Sequence, residues 1–137
     1  MANVLESQIT HEGPRNVVIK LTGILTDSDI TETAVDITQF TSNENVASGL
    51  LAGFRVDLIE YSIAAGLEVV IAWDGNSPQQ IFPLAGRGRF AAFNYGGFIP
   101  DMTRSGYNGN IVLSTKGFPQ GTTQTFTVVL ELIKLYK

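Results

Sequence analysis

Apolar and polar residues alternate with a period of two along most of this chain. In RNVVIKLTGIL, Val17, Ile19 and Leu21 fall on one face and Val18, Lys20 and Thr22 on the other. In FRVDLIEYSI, Phe54, Val56 and Leu58 oppose Arg55, Asp57, Ile59 and Tyr61. LEVVIAW sets Leu67, Val69, Ile71 and Trp73 against Glu68 and Val70, and QTFTVVLELIKLY sets Phe126, Val128, Leu130 and Leu132 against Thr127, Val129, Glu131 and Ile133. Successive side chains of a strand point to opposite faces, so this alternation predicts strands with one face buried. Between the runs lie HEGPRN, AAGL, WDGNSP, SGYNGN and KGFPQGTT, which carry the glycine, proline and asparagine that turns require.

The expected strands lie near 15–25, 34–40, 54–62, 67–73, 79–84, 88–94, 110–115 and 124–136. TSNENVASGLLAG has room for one helical turn capped by Ser42, and Gly49 and Gly53 argue against more. The pattern predicts an all-β protein: an antiparallel β-sandwich, jelly-roll-like, of about eight short strands. Residues 15–137 form the single sandwich domain in this reading, and residues 1–14 an N-terminal arm or edge segment.

Composition adjusts the picture. The chain has 137 residues, of which 44% are hydrophobic and only 16% charged. So low a charge is little to cover a monomer's surface, which favours a protein that hides surface in an assembly. Cysteine is absent, which removes disulfides and thiolate metal ligands. No signal peptide is visible in the first 20 residues, and no apolar run is long enough for a membrane span, so a soluble protein made in a cytoplasm is expected. The net charge of −4 is uneven: residues 1–74 hold 11 acids and 3 bases, residues 75–137 hold 2 acids and 6 bases. The basic footprint of a nucleic-acid binder is missing, whereas halves of opposite sign suit complementary contacts within the fold or between copies.

Few residues suggest chemistry. His11 is the single histidine and sits in a polar stretch, so a nucleophile-histidine site would rest on it alone. Asp27, Asp29, Glu32 and Asp36 lie close in sequence, but the spacing of a calcium loop is missing. Asp57, Glu60 and Glu68 are conceivable as a carboxylate pair for sugar hydrolysis, although Asp57 and Glu60 fall on opposite faces of a regular strand. Trp73, Tyr95 and Tyr107 are conceivable stacking surfaces for a carbohydrate. No catalytic set, cofactor or metal is expected.

The most distinctive stretch is GRGRFAAFNYGGF, residues 86–98. Arg87 and Arg89 share one strand face at a spacing of two, as do Phe93 and Tyr95. Arginine and aromatic side chains are common anchors of protein interfaces and of single-stranded nucleic acid. Only Arg104 and Lys116 follow before residue 130, too few cations for the second. The expected protein interface comprises Arg87, Arg89, Tyr95, Phe98, Arg104 and Tyr107.

HEGPRNVVIKLTGIL, AWDGNSPQQIFPLAGRGRF and GNIVLSTKGFPQGTTQTFTVVLELIKLYK resemble small virion structural proteins of tailed bacteriophages. The resemblance runs from about Glu12 to Lys134 and implies a virion component, above all a capsid cement or decoration protein. The partner it implies is the major capsid protein, the assembly a homo-oligomer with a trimer favoured, and the location the capsid surface. No nucleic acid or membrane partner is expected. The alternatives are a carbohydrate- or receptor-binding β-sandwich of the tail, and a tail or head–tail connector component.

Overall fold

The computed structural model describes residues 3–40 and 51–136. The helical turn expected with Ser42 as its cap lies outside them. Among the described residues nine strands follow in order: β1 Val4–Glu12, β2 Asn16–Leu25, β3 Thr31–Val35, β4 Leu51–Ile63, β5 Glu68–Trp73, β6 Gln79–Leu84, β7 Arg87–Phe90, β8 Ile111–Lys116 and β9 Gln124–Tyr136. Two short 3₁₀ turns, Ile37–Gln39 and Ala92–Tyr95, are the helical elements among the described residues.

The strands form two antiparallel sheets. One has the order β1-β2-β9-β4-β7 and the other β3-β8-β5-β6. The pairs β5–β6, β4–β7, β3–β8 and β2–β9 are nested, as if the chain were folded in half between β5 and β6. This is the double Greek key of a jelly roll, the architecture the alternation predicts. Residues 4–12 are the edge strand of the larger sheet, paired with β2 from Val4↔Ile24 to Glu12↔Val17 with a register shift between Ile9 and His11.

The core lies between the sheets and follows the alternation. Val17, Ile19 and Leu21 from β2, Val69 and Ile71 from β5, and Val128, Leu130 and Leu132 from β9 are almost fully buried in one cluster. Each such side chain contributes roughly 1.5–3 kcal/mol through removal from water. Trp73 is buried, and its indole Nε1 donates to the Phe54 carbonyl at 3.2 Å. Gly23 faces Phe126 across the β2–β9 pair, and a Cβ there would run into the ring.

Three local expectations are overturned. The 34–40 strand is instead β3 followed by a 3₁₀ turn, because Asp36 accepts from the Thr38 amide at 2.9 Å and so caps Ile37–Gln39. The 88–94 strand stops at Phe90, and Phe93 and Tyr95 sit in a 3₁₀ turn rather than on one strand face. Gly96 ends that turn with φ 86°, a left-handed conformation open to glycine at little cost. In β4 the register shifts between Val56 and Leu58. Leu58 therefore lies opposite Glu131, buried but outside the main cluster, and Ile59, opposite Leu130, joins that cluster.

Candidate functional site

The sequence-expected interface residues gather along the free edge of β4. β7 pairs with its C-terminal half, from Ile59↔Phe90 to Ser62↔Arg87. The chain then makes its 3₁₀ turn and returns at Phe98, which exchanges two backbone hydrogen bonds with Val56, at 2.9 and 2.8 Å. Farther along, the Tyr107 hydroxyl donates to the Ala52 carbonyl at 2.9 Å, with the Met102 and Tyr107 side chains lying over Gly53. One continuous segment, residues 87–107, thus covers this edge from one end to the other.

Its aromatic rings form a ladder between the two sheets. Phe90 stacks on Phe82 of β6 with centroids 4.8 Å apart, on Phe98 at 5.5 Å and on Tyr95 at 5.9 Å. Phe82 and Phe98 stack at 6.2 Å. Such pairs are worth about 0.5–1.5 kcal/mol each beyond their burial. The ladder closes the side of the sandwich where β6 and β7 are the outermost strands. Its outer rung, Tyr95, is 75% exposed, and Phe93, Ile99 and Met102 are exposed beside it in the chain.

The polar groups pin this segment down. Arg55 and Asp57 form a two-pronged ion pair, Nε–Oδ1 at 2.7 Å and Nη2–Oδ2 at 3.2 Å. Donating to the Asp57 carboxylate holds the Arg55 guanidinium above its ordinary pKa. Gly97 lies directly on the pair: a Cβ there would meet Arg55 at 2.6 Å and Asp57 at 2.7 Å. The Gln79 side chain brackets Asp101, accepting from its amide and donating to its carbonyl, each at 3.0 Å. Asp101 accepts from the Thr103 amide and hydroxyl, which holds its carboxyl below the usual range. Burial pushes the Tyr107 phenol up to about 12.

Placed one by one, the six residues are not equivalent. Arg87 and Arg89 are both exposed on β7, and Arg89 reaches Glu60 at 3.6 Å. Tyr95 is the exposed end of the ladder and Phe98 a half-buried inner rung. Arg104 is exposed in the turn after Asp101, whereas Tyr107 is a half-buried wedge beneath it. Sequence reasoning passed over Phe82, Phe90, Ile99 and Met102. The signal for the last three is an apolar residue every few positions from Phe90 to Met102 without a strand period; Phe82, on another strand, has none.

The chemical candidates do not assemble. Asp57 and Glu60 are each engaged by a different arginine, and the bulge removes the strict alternation used to place them on opposite faces. Glu68 stands opposite Lys116 in the other sheet. Asp29 accepts from the Thr115 hydroxyl and the Phe118 amide, and Asp36 caps a turn, so both act as structural acceptors. No group of three or more His, Cys, Asp or Glu side chains suited to a metal is present among the described residues. His11 is exposed on β1. Trp73 is buried and Tyr107 half-buried, which leaves Tyr95 alone as an open stacking surface of the three expected. No helix among the described residues is long and apolar enough to cross a membrane.

No family model and no curated protein matches the chain. A crystal structure of a cupin superfamily protein from Desulfitobacterium hafniense DCB-2 is similar at 14% identity, over 95% of this chain and 79% of that chain, with a TM-score of 0.35. The strand order, not this likeness, assigns the fold.

Proposed function

We propose that this chain is a non-enzymatic virion structural protein of a tailed bacteriophage, a cement protein that binds the outside of the major capsid shell and stabilises it. The resemblance of its first, middle and last segments to small virion proteins supplies the class. The observation that carries the reading is the aromatic ladder with its exposed fringe, Phe93, Tyr95, Ile99 and Met102, flanked by Arg87 and Arg89. Apolar surface rimmed by arginine is the composition of a protein-binding surface, and a ladder fixed between two sheets presents it without a large ordering cost. The mechanism is physical: each copy adds buried interface across capsomer boundaries, and repetition over the shell multiplies a modest contact.

The test is add-back to purified particles that lack the protein. Cement function requires stoichiometric binding and a shell that withstands more heat. Arg87→Ala with Arg89→Ala weakens that binding, more at low salt than at high, because exposed charges are screened. Particles that take up none of the protein overturn the reading.

One observation favours a second reading. Tyr95 lies parallel to Phe90, with 8° between ring planes, and turns its other face to solvent. A flat exposed ring is the platform a sugar stacks on, as in a receptor-binding domain of a tail. A glycan array on the isolated domain decides between them, since a cement protein leaves it blank.

A further inference from the structure

Among the described residues, the exposed large apolar side chains divide into two groups. Val4, Ile9 and Ile24 lie on β1 and β2, and Phe93, Tyr95, Ile99 and Met102 lie beside β7 and β4. In the order β1-β2-β9-β4-β7 these are opposite edges of one sheet. The two edge strands themselves differ in charge, although β2 behind the first carries Lys20 and β4 behind the second carries Asp57 and Glu60. β1 carries Glu6 and Glu12 and no Lys or Arg, whereas β7 carries Arg87 and Arg89 and no acid.

The register makes the division specific. Glu6 pairs with Thr22, Thr22 with Thr127, Thr127 with Ser62, and Ser62 with Arg87. One row across the outer face therefore begins in a carboxylate, ends in a guanidinium, and has only hydroxyls between. Glu12 and Arg89 have partners within the chain, Lys134 at 2.7 Å and Glu60 at 3.6 Å. Glu6 and Arg87, both exposed, make no ion pair among the described residues.

We propose that copies of this chain associate head to tail through these edges, the acidic edge strand β1 of one copy against the basic, aromatic β7 edge of the next. The occupant of each edge is a second copy because each edge is the chemical complement of the other. Joining like edges is disfavoured: β1 against β1 brings glutamates together, and β7 against β7 brings arginines together. A head-to-tail contact uses two different surfaces, so repetition closes into a ring when the rotation allows. The edge of β1, otherwise an open template for strand pairing, is then covered. The proposal gives a geometry to the self-association expected from the low charge. It assigns to a second copy the edge that the proposed function assigns to the shell, so the two compete for it; self-association is read on the purified chain alone and shell uptake on particles, which keeps their failures distinguishable.

The experiment is native mass spectrometry and sedimentation of the full chain and of charge-reversed variants, all at exposed positions. The wild type runs as a closed oligomer. E6R and R87E each dissociate it, with at least about a tenfold rise in the dissociation constant at low salt. The double variant E6R/R87E restores the assembly, because the reversed pair is again complementary. A second pair tests direction: Val4→Glu with Ile24→Glu breaks one edge, and Phe93→Glu with Tyr95→Glu breaks the other. Each is monomeric alone, and an equimolar mixture gives a particle of twice the chain mass through the one intact contact. A monomeric wild type, an oligomer untouched by breaking either edge, or a double charge reversal that stays dissociated overturns the proposal. Circular dichroism confirms that each variant is folded, and the charge reversals stand where an edge variant is not.

Discussion

β4 has two neighbours, and they are built differently. On one side β9 pairs with it through most of thirteen residues, and every second side chain of β9 from Phe126 to Lys134 is buried. On the other side only the four residues of β7 and the single Phe98 bridge are paired with it, and the rest of residues 87–107 is held by its own turns, by side-chain pins and by the Asn76 amide on the Ser105 carbonyl. The first arrangement repeats one rule; the second is a set of particular contacts, each made once. Apolar side chains on the β9 side are hidden, and on the β7 side several face solvent. A protein that needed β4 only to be stable gains nothing from exposing Tyr95 and Ile99, so the irregular side is where a partner is expected.

The two sides separate most sharply under core truncation. Leu130, fully buried in β9 and opposite Ile59 of β4, is the test position. Leu130→Ala removes a buried side chain between two paired strands and costs about 2–5 kcal/mol, read as loss of the whole cooperative transition in calorimetry. A local effect confined to one loop breaks the distinction. Next in size is Gly23→Ala. The added methyl meets the Phe126 ring and forces it from its place, at a cost of about 1–3 kcal/mol in the denaturant midpoint.

The same contrast governs what could be read in the sequence. Where burial repeats every second residue, the pattern gives strand, face and core together: β2, β5 and β9 match the expected runs to within a residue at each end. β4 is legible to its middle only. The bulge between Val56 and Leu58 inserts one residue, and parity reverses from there, because which of two adjacent apolar residues turns inward is set by the partner strand and not by the run itself. Arg87 and Arg89 were placed correctly on one face of a strand because β7 is regular over those residues. Phe93 and Tyr95 were not, since Asn94 and the Gly96-Gly97 pair close a turn where spacing alone suggests extension. The ladder itself was out of reach: Phe82 and Phe90 are eight positions apart on different sheets, and nothing local says that their rings meet.

Smaller effects come from the irregular side. Gly97 has φ 81° and rests on the Arg55–Asp57 pair, so Gly97→Ala adds left-handed strain and a collision. The cost is about 1–2 kcal/mol. It appears in hydrogen exchange as faster opening of residues 91–107 while the β9 amides stay protected. Equal acceleration in β9 shows that the two sides unfold as one. Tyr107→Phe costs about 1 kcal/mol through the lost bond to the Ala52 carbonyl. It also removes a pH dependence. The folded phenol ionises near 12 against an ordinary 10, so the native state holds this proton more tightly. Stability from this group is complete below pH 10 and falls as pH rises toward 12. Tyr107→Phe flattens that decline, and absorbance of the phenolates reports the matching loss of one late-titrating tyrosine.

The smallest expected change is at Glu60. Its contact with Arg89 is 3.6 Å long and open to water on both sides. Exposed pairs of this kind contribute a few tenths of a kcal/mol, so Glu60→Gln moves the melting temperature by little. It does free the second arginine of β7 while leaving every ring of the ladder in place. Were the β7 edge only a stable margin of the fold, the variant would be silent in every assay. As a basic docking edge it gains: Glu60→Gln tightens self-association at low salt, and the gain disappears at high salt as the charges are screened. A variant neutral in stability yet stronger in association separates the work of the β7 side from that of the β9 side.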